Sequence, residues 1–311
     1  MPLNPEVAEL LARDTDPVIV HQLSPQEARV RYALRASRRP TAAPPQLAGV
    51  VDRSIEGEHE LPLRIYTPLT QSTAPLPLVL FFHGGGFVVG SLDTHDTFCR
   101  HFAQGLGCIL VAVDYRLAPE HPFPAATEDA WRALHWLHVH ASELGGDGTR
   151  IALAGDSAGG NLAAVTALRA RSDLGPPLRA QILIYPMTDH GDHPTASQLE
   201  FANGFGLSLE SLRWFWKQYL APGQDYRHPQ ISPLCASDLH GLPPTLIVTA
   251  ECDVLRDEAE AYAARLDDAG VAVTLRRYPG MIHGFMGMLG MISPVAAAVD
   301  ETCSWIRAHV V

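Results

Sequence analysis

The sequence has no Cys-x-x-Cys pair, and its five cysteines, Cys99, Cys108, Cys235, Cys252 and Cys303, are scattered and odd in number. Such spacing supports neither a disulfide scaffold nor a zinc knuckle, and small buried packing residues are expected instead. An excess of cations is missing too: 23 Lys and Arg stand against 34 Asp and Glu, for a formal charge of -11. That balance speaks against a nucleic-acid partner or an anionic membrane surface. No apolar stretch is long enough to span a bilayer, and the chain does not open on a basic segment followed by an apolar one. No membrane span and a cytoplasmic location are therefore the expectation. Internal repeats and low-complexity tracts are also absent, which removes solenoid architectures.

What is present suits one large core. Across 311 residues, 47% are apolar and 18% charged, enough to bury an extensive interior. Apolar runs at 78–82, 108–113, 150–154, 180–185, 245–249 and 272–276 read as strands, and amphipathic segments near 95–106, 125–142, 158–171, 257–269 and 294–309 read as helices. Strands apolar on both faces, alternating with helices, specify a mostly parallel α/β sheet covered on both sides. Residues 48–53 and 59–67 read as a further strand pair turning at 56–58. Residues 1–45 are expected to form N-terminal cap helices. Residues 46–311 are then the catalytic domain, with 190–225, including a helix from Leu209 to Leu220, contributing to the cap.

Gly155-Asp156-Ser157-Ala158-Gly159 follows an apolar strand and precedes a helical run. A strand-to-helix turn this tight lifts the serine hydroxyl above the sheet, and glycines two before and two after let neighbouring backbone pass. The same pattern can also be a phosphate-binding loop or a plain turn; its placement selects Ser157 as nucleophile. His83-Gly84-Gly85-Gly86-Phe87 directly follows another strand. Its glycines expose backbone N–H groups suited to an oxyanion, so Gly84, Gly85, Gly86 and the Ala158 amide are the expected donors, with Gly84 the least favoured. His83 is expected only to fix the loop by bonding to backbone. Asp156 either ties the turn to a neighbouring basic group such as Arg116 or sits in solvent beside the serine, and support of the turn is the favoured reading over catalysis.

In the α/β-hydrolase fold that such a turn implies, the acid and then the histidine follow the nucleophile in the chain. Of the six histidines after Ser157, only His283 leaves the last expected strand. Asp253 ends the preceding one, with Glu251 its nearest rival. Asp253 would hold the imidazole tautomer that accepts the serine proton.

These segments, together with 115–125, Tyr185-Pro186, 253–257 and His283-Gly284-Phe285, resemble the hormone-sensitive-lipase-like esterases, bacterial carboxylesterases with a His-Gly-Gly-Gly motif. The resemblance runs from about residue 78 to 290. It implies an α/β-hydrolase fold with a helical cap and hydrolysis of short to medium acyl esters by Ser157, Asp253 and His283. It also implies a small-molecule ester substrate and often a homodimer. Val254 departs from the Pro common after the acid. The triad mechanism calls for no cofactor, and the spacing of His190 and His193 fits no familiar metal site.

Aromatics gather at Phe201, Phe205, Trp214, Phe215 and Trp216 and again beside the catalytic loops. Among them, Phe87 and Phe205 are the preferred substrate contacts. Amide or lactone hydrolysis would use the same triad, and a non-catalytic small-molecule receptor would lack the histidine that this chain has at position 283.

Overall fold

A computed structural model of the chain describes residues 3–14, 19–39 and 42–310. Residues 1, 2, 15–18, 40, 41 and 311 lie outside that description, and with them part of the expected N-terminal cap.

Two helices come first, α1 (Pro5–Arg13) and α2 (Pro25–Arg38). Each opens on a proline and a side-chain cap. Asn4 accepts from the Glu6 N–H, and Ser24 forms a reciprocal capping box with Glu27. A one-turn 3₁₀ segment, Val20–Gln22, lies between them.

The hairpin β1 (Gly49–Ile55) and β2 (Leu61–Thr67) is antiparallel, as the turn residues between them require. There follow β3 (Leu76–Phe82), α3 (Leu92–Leu106), β4 (Ile109–Val113), α4 (Ala125–His140), β5 (Gly146–Asp156), α5 (Ala158–Ser172) and β6 (Leu178–Ile184). After the short α6 (Ala196–Glu200) and α7 (Leu209–Tyr219) come β7 (Thr245–Cys252), α8 (Arg256–Asp268), β8 (Val273–Ile282) and α9 (Pro294–Val310).

The strands form one eight-stranded sheet in the order β1-β2-β4-β3-β5-β6-β7-β8. β2 runs antiparallel to both β1 and β4, and the pairs from β4 to β8 are parallel. Parallel strands must be covered on both faces. Here α3 and α9 pack together on one side, and α4, α5 and α8 contact strands from the other. The central strands are correspondingly apolar throughout: every residue from Pro77 to Phe82 and from Ile109 to Val113 is buried. Four of the cysteines, Cys99, Cys108, Cys252 and Cys303, are buried packing residues, while Cys235 is exposed. Among the described residues no helix is long and apolar enough to cross a membrane.

The expected elements are present with shifts of a few residues at their ends. The largest is in β8, which continues to Ile282 instead of ending near Arg276. Register slips between β7 and β8: Ala250 faces Tyr278, but Cys252 faces Ile282. The extra residues contain Pro279-Gly280, and Gly280 takes a φ of +66°. The slip acts as a bulge that re-aims the end of the strand.

Candidate active site

The carboxyl ends of β3, β5, β6, β7 and β8 converge on one side of the sheet, where open α/β folds place their ligands. Each strand delivers a polar or aromatic side chain one residue past its end, namely His83, Ser157, Tyr185, Asp253 and His283.

Ser157 stands between β5 and α5 with φ +57° and ψ −119°, a conformation sparsely populated by residues with a side chain. The turn is held from both flanks, since the Ser157 N–H donates to the Ile184 carbonyl and its carbonyl accepts from the N–H groups of Asn161 and Met187. The flanking glycines answer to close backbone approach. A Cβ on Gly159 would lie 1.9 Å from the Phe82 oxygen, and one on Gly155 would lie 2.2 Å from the Gly159 oxygen. No side chain fits at either position, so the nucleophile turn is possible only with that spacing.

The Ser157 Oγ lies 3.0 Å from His283 Nε2, and His283 Nδ1 lies 2.8 Å from Asp253 Oδ2. Asp253 is ionically suited to accept from Nδ1–H, which leaves Nε2 to accept from the serine hydroxyl. The other Asp253 oxygen accepts from the Leu255 N–H at 3.0 Å, fixing the carboxylate plane. Glu251, the rival acid, points elsewhere: its Oε2 accepts from the Gly280 N–H at 2.8 Å and so pins the bulge that precedes His283. The Tyr185 ring packs 4.8 Å from the imidazole. The structure thus brings Ser157, His283 and Asp253 into one continuous hydrogen-bonded chain.

The oxyanion loop differs in one donor from the expectation. Gly85 and Gly86 line the same cavity as Ser157, and no described residue accepts from their N–H groups or from that of Ala158 at the start of α5. Gly84 does not join them, because its N–H already donates to Asp156 Oδ1 at 2.8 Å. The same contact corrects the reading of Asp156, whose partner is not Arg116. Arg116 is bidentate to the buried Asp129, while Asp156 faces His95 Nε2 at 3.6 Å. Burial by itself would push the Asp156 carboxyl up; His95 and the Gly84 N–H outweigh it and hold the group below the usual carboxylate range. His83 bonds to backbone through Nδ1, 2.8 Å from the Gly84 oxygen, and the Tyr115 hydroxyl donates to its carbonyl at 2.7 Å. Burial pushes the His83 imidazole down to about 3, so it stays neutral beneath the loop.

Both expected substrate contacts lie elsewhere. Phe87 is fully buried, stacked on Tyr219 with ring centroids 3.8 Å apart. Its backbone takes a φ of +63°, and its side chain lies in the core, outside the cavity lining. Phe205 packs edge-on against Phe201 at 5.0 Å, and it is its neighbours Gly204, Gly206 and Leu207 that line the cavity. Phe215 from α7 is an aromatic residue of the lining, together with Tyr32, Phe98 and Tyr185. A Cβ on Gly86 would lie 2.2 Å from its ring, so Gly86 is the residue that admits Phe215 beside the oxyanion loop.

The cavity measures about 1400 Å³ and is roofed by residues of α1, the 20–22 turn, α2 and the 203–215 segment. The two parts of the roof meet where His21 Nε2 lies 3.0 Å from Glu210 and Nδ1 lies 3.2 Å from Ser211 Oγ. Tyr185, His95 and Arg39 also line it. Of these, the sequence marks only Tyr185, through the Tyr185-Pro186 pair of the family resemblance; His95 and Arg39 reach the cavity through tertiary packing and carry no local motif.

A family model for the alpha/beta hydrolase fold matches residues 79–287. The chain is 45% identical over 267 residues to the carboxylic ester hydrolase LipN of Mycobacterium tuberculosis, covering 84% of this chain and 70% of that one. It is 40% identical to an ethyl acetate hydrolase of Pseudomonas putida, covering 99% and 100% of the two chains. The structure superposes on that of a thermostable esterase from Pseudomonas putida with a TM-score of 0.94 at 37% identity, covering 100% of this chain and 98% of that one. A hyperthermophilic esterase from Pyrobaculum calidifontis matches with a TM-score of 0.91 at 38% identity over 99% of both chains. With its parallel sheet, its strand-end serine and these likenesses together, the chain belongs to the α/β-hydrolase family, in its hormone-sensitive-lipase-like branch.

Proposed function

We propose that this protein is a carboxylic ester hydrolase in which Ser157 is the nucleophile, His283 the general base and acid, and Asp253 the group that orients and stabilises the imidazole. The observation that carries this reading is the unbroken chain from Asp253 Oδ2 through His283 to Ser157 Oγ, at 2.8 and 3.0 Å.

In the first step Ser157 Oγ attacks the ester carbonyl and its proton passes to His283 Nε2. The developing oxyanion is met by the N–H groups of Gly85, Gly86 and Ala158, the last at the positive end of α5. The C–O bond to the alcohol breaks as His283 returns the proton to the departing oxygen. Water then attacks the acyl-serine with His283 again as base, the acyl–Oγ bond breaks as His283 returns that proton to Ser157 Oγ, and the acid leaves. Each proton moves between Ser157, the imidazole, the leaving alcohol and water, so the cycle balances without a cofactor.

The relatives, among them an ethyl acetate hydrolase, support small esters as substrates, and we read short to medium acyl chains as the preferred range. We read α1, α2 and the 190–225 segment as the cap over a catalytic domain formed by the rest of the chain. On p-nitrophenyl butyrate, Ser157→Ala is expected to lower kcat about 10⁶-fold, the loss that removal of such a nucleophile causes in a comparable triad. Retention of most activity by this variant, with its fold intact by circular dichroism, would overturn the assignment.

A further inference from the structure

Charged side chains reach the cavity from several segments, and among the described residues all but one have a partner. Asp14 pairs with Arg35, and Glu210 with His21 at 3.0 Å. Asp93 and Asp96 share Arg64, at 2.9 and 3.4 Å, and Asp96 also takes Arg100 at 2.6 Å. Asp156 accepts from Gly84 and faces His95. His283 is engaged by Asp253. Arg39 is the exception. It lines the same cavity and is half-buried, yet among the described residues its guanidinium has neither an ion pair nor a hydrogen bond.

Two further observations locate that guanidinium. Its Nη1 lies 3.5 Å from where a Cβ on Gly287 would stand, in the turn that follows His283. Burial pushes the Tyr32 and Tyr185 hydroxyls up, and the Arg39 charge opposes the rise at each. Tyr185 in turn packs on the His283 ring. The cation is therefore within electrostatic reach of the ring that abuts the general base, on the cavity side. A partly desolvated charge without a counter-charge costs free energy unless something supplies one. A guanidinium offers a planar fork of N–H donors that matches a carboxylate in two parallel bonds.

We propose that Arg39 is a recognition site for a carboxylate carried by the substrate, so that the enzyme selects esters bearing a free acid. Two chemical sources fit, a half-ester whose acyl part ends in a carboxylate and an acylated hydroxy acid whose alcohol part carries it. This inference rests on the esterase reading above.

The test is a matched set: p-nitrophenyl butyrate against p-nitrophenyl hemiglutarate for the acyl side, and methyl 2-acetoxypropanoate against 2-acetoxypropanoate for the alcohol side. The measured quantity is the ratio of kcat/KM for the acid-bearing ester over its neutral counterpart. Arg39→Gln is expected to lower this ratio about 10- to 100-fold on one of the two sides, the range of a charge-assisted hydrogen-bonded pair. Arg39→Lys should restore part of it, and added salt should shrink the wild-type ratio toward that of Arg39→Gln. The side on which the ratio collapses identifies the source of the carboxylate. If neither ratio moves in Arg39→Gln while the wild type hydrolyses the neutral esters through Ser157, the carboxylate site is refuted and the esterase reading stands. If the wild type hydrolyses none of the four, the esterase reading itself fails.

Discussion

Ser157, Asp253 and His283 each stand one residue beyond a strand of the same sheet, whereas the opposite wall of the cavity is assembled from α1, α2 and the 203–215 segment. The two walls are held by different kinds of contact. On the strand-end side, position follows from local backbone: glycines that admit a passing carbonyl, a positive φ at the serine, and a two-residue slip in β8 pinned by Glu251. On the roof side, contacts join residues far apart in the chain, such as His21 and Glu210, and both ends of that pair are accessible. Changes on the first wall should therefore act on the chemical step, and changes on the second on which substrate enters.

The largest effects are expected at the triad. His283→Ala should lower kcat on p-nitrophenyl butyrate about 10⁶-fold, and Asp253→Asn about 10⁴-fold, because the amide selects the wrong imidazole tautomer. Steady-state kinetics with comparable KM values would check both, and a loss seen mainly in KM would blur the contrast between the walls. Next comes Asp156→Ala, which frees the Gly84 N–H and slackens the oxyanion loop. A drop in kcat of roughly 10- to 100-fold is expected, with KM little changed and much of the rate regained in Asp156→Asn, which keeps an acceptor oxygen.

Phe215 and Phe87 separate the walls within one residue type. Phe215→Ala enlarges the cavity beside Gly86 and should raise kcat/KM for p-nitrophenyl octanoate relative to butyrate by about 10-fold. Phe87→Ala should leave that ratio alone and instead lower stability by about 3–5 kcal/mol in urea unfolding, as loss of a buried aromatic does. The smallest effect belongs to the roof contact. His21→Ala removes a partly exposed pair worth about 0–1 kcal/mol, so the melting temperature should fall by only a few degrees and kcat/KM by less than about fivefold.

The strand-end wall was legible in the sequence to a degree that the roof was not. Apolar runs flanked by turn residues gave the parallel strands, and the motifs around Ser157 and Gly85 announced themselves by spacing, because there the backbone geometry tolerates few residue types. Chain order then singled out Asp253 and His283. The failures share one cause. Gly84 was read as a free donor although its N–H is taken by Asp156, 72 residues away. Phe87 and Phe205 sit near the right loops, but each ring packs on an aromatic partner, Tyr219 for one and Phe201 for the other, away from the cavity. Of the residues that do line the cavity, Tyr185 is marked in the sequence only through the Tyr185-Pro186 pair, and Phe215 is one of five clustered aromatics with no local sign of which faces inward; Arg39 is placed by packing between distant segments, which leaves no periodic or local mark.

The central claim is that Ser157 is the reacting atom's residue, activated by His283. A fluorophosphonate tests this most directly, since it phosphonylates only a serine made nucleophilic in place. Intact-protein mass spectrometry followed by peptide mapping should find one adduct, on Ser157, in the wild type and none in Ser157→Ala or His283→Ala. An adduct on another residue, or an unlabelled wild type, would contradict the account.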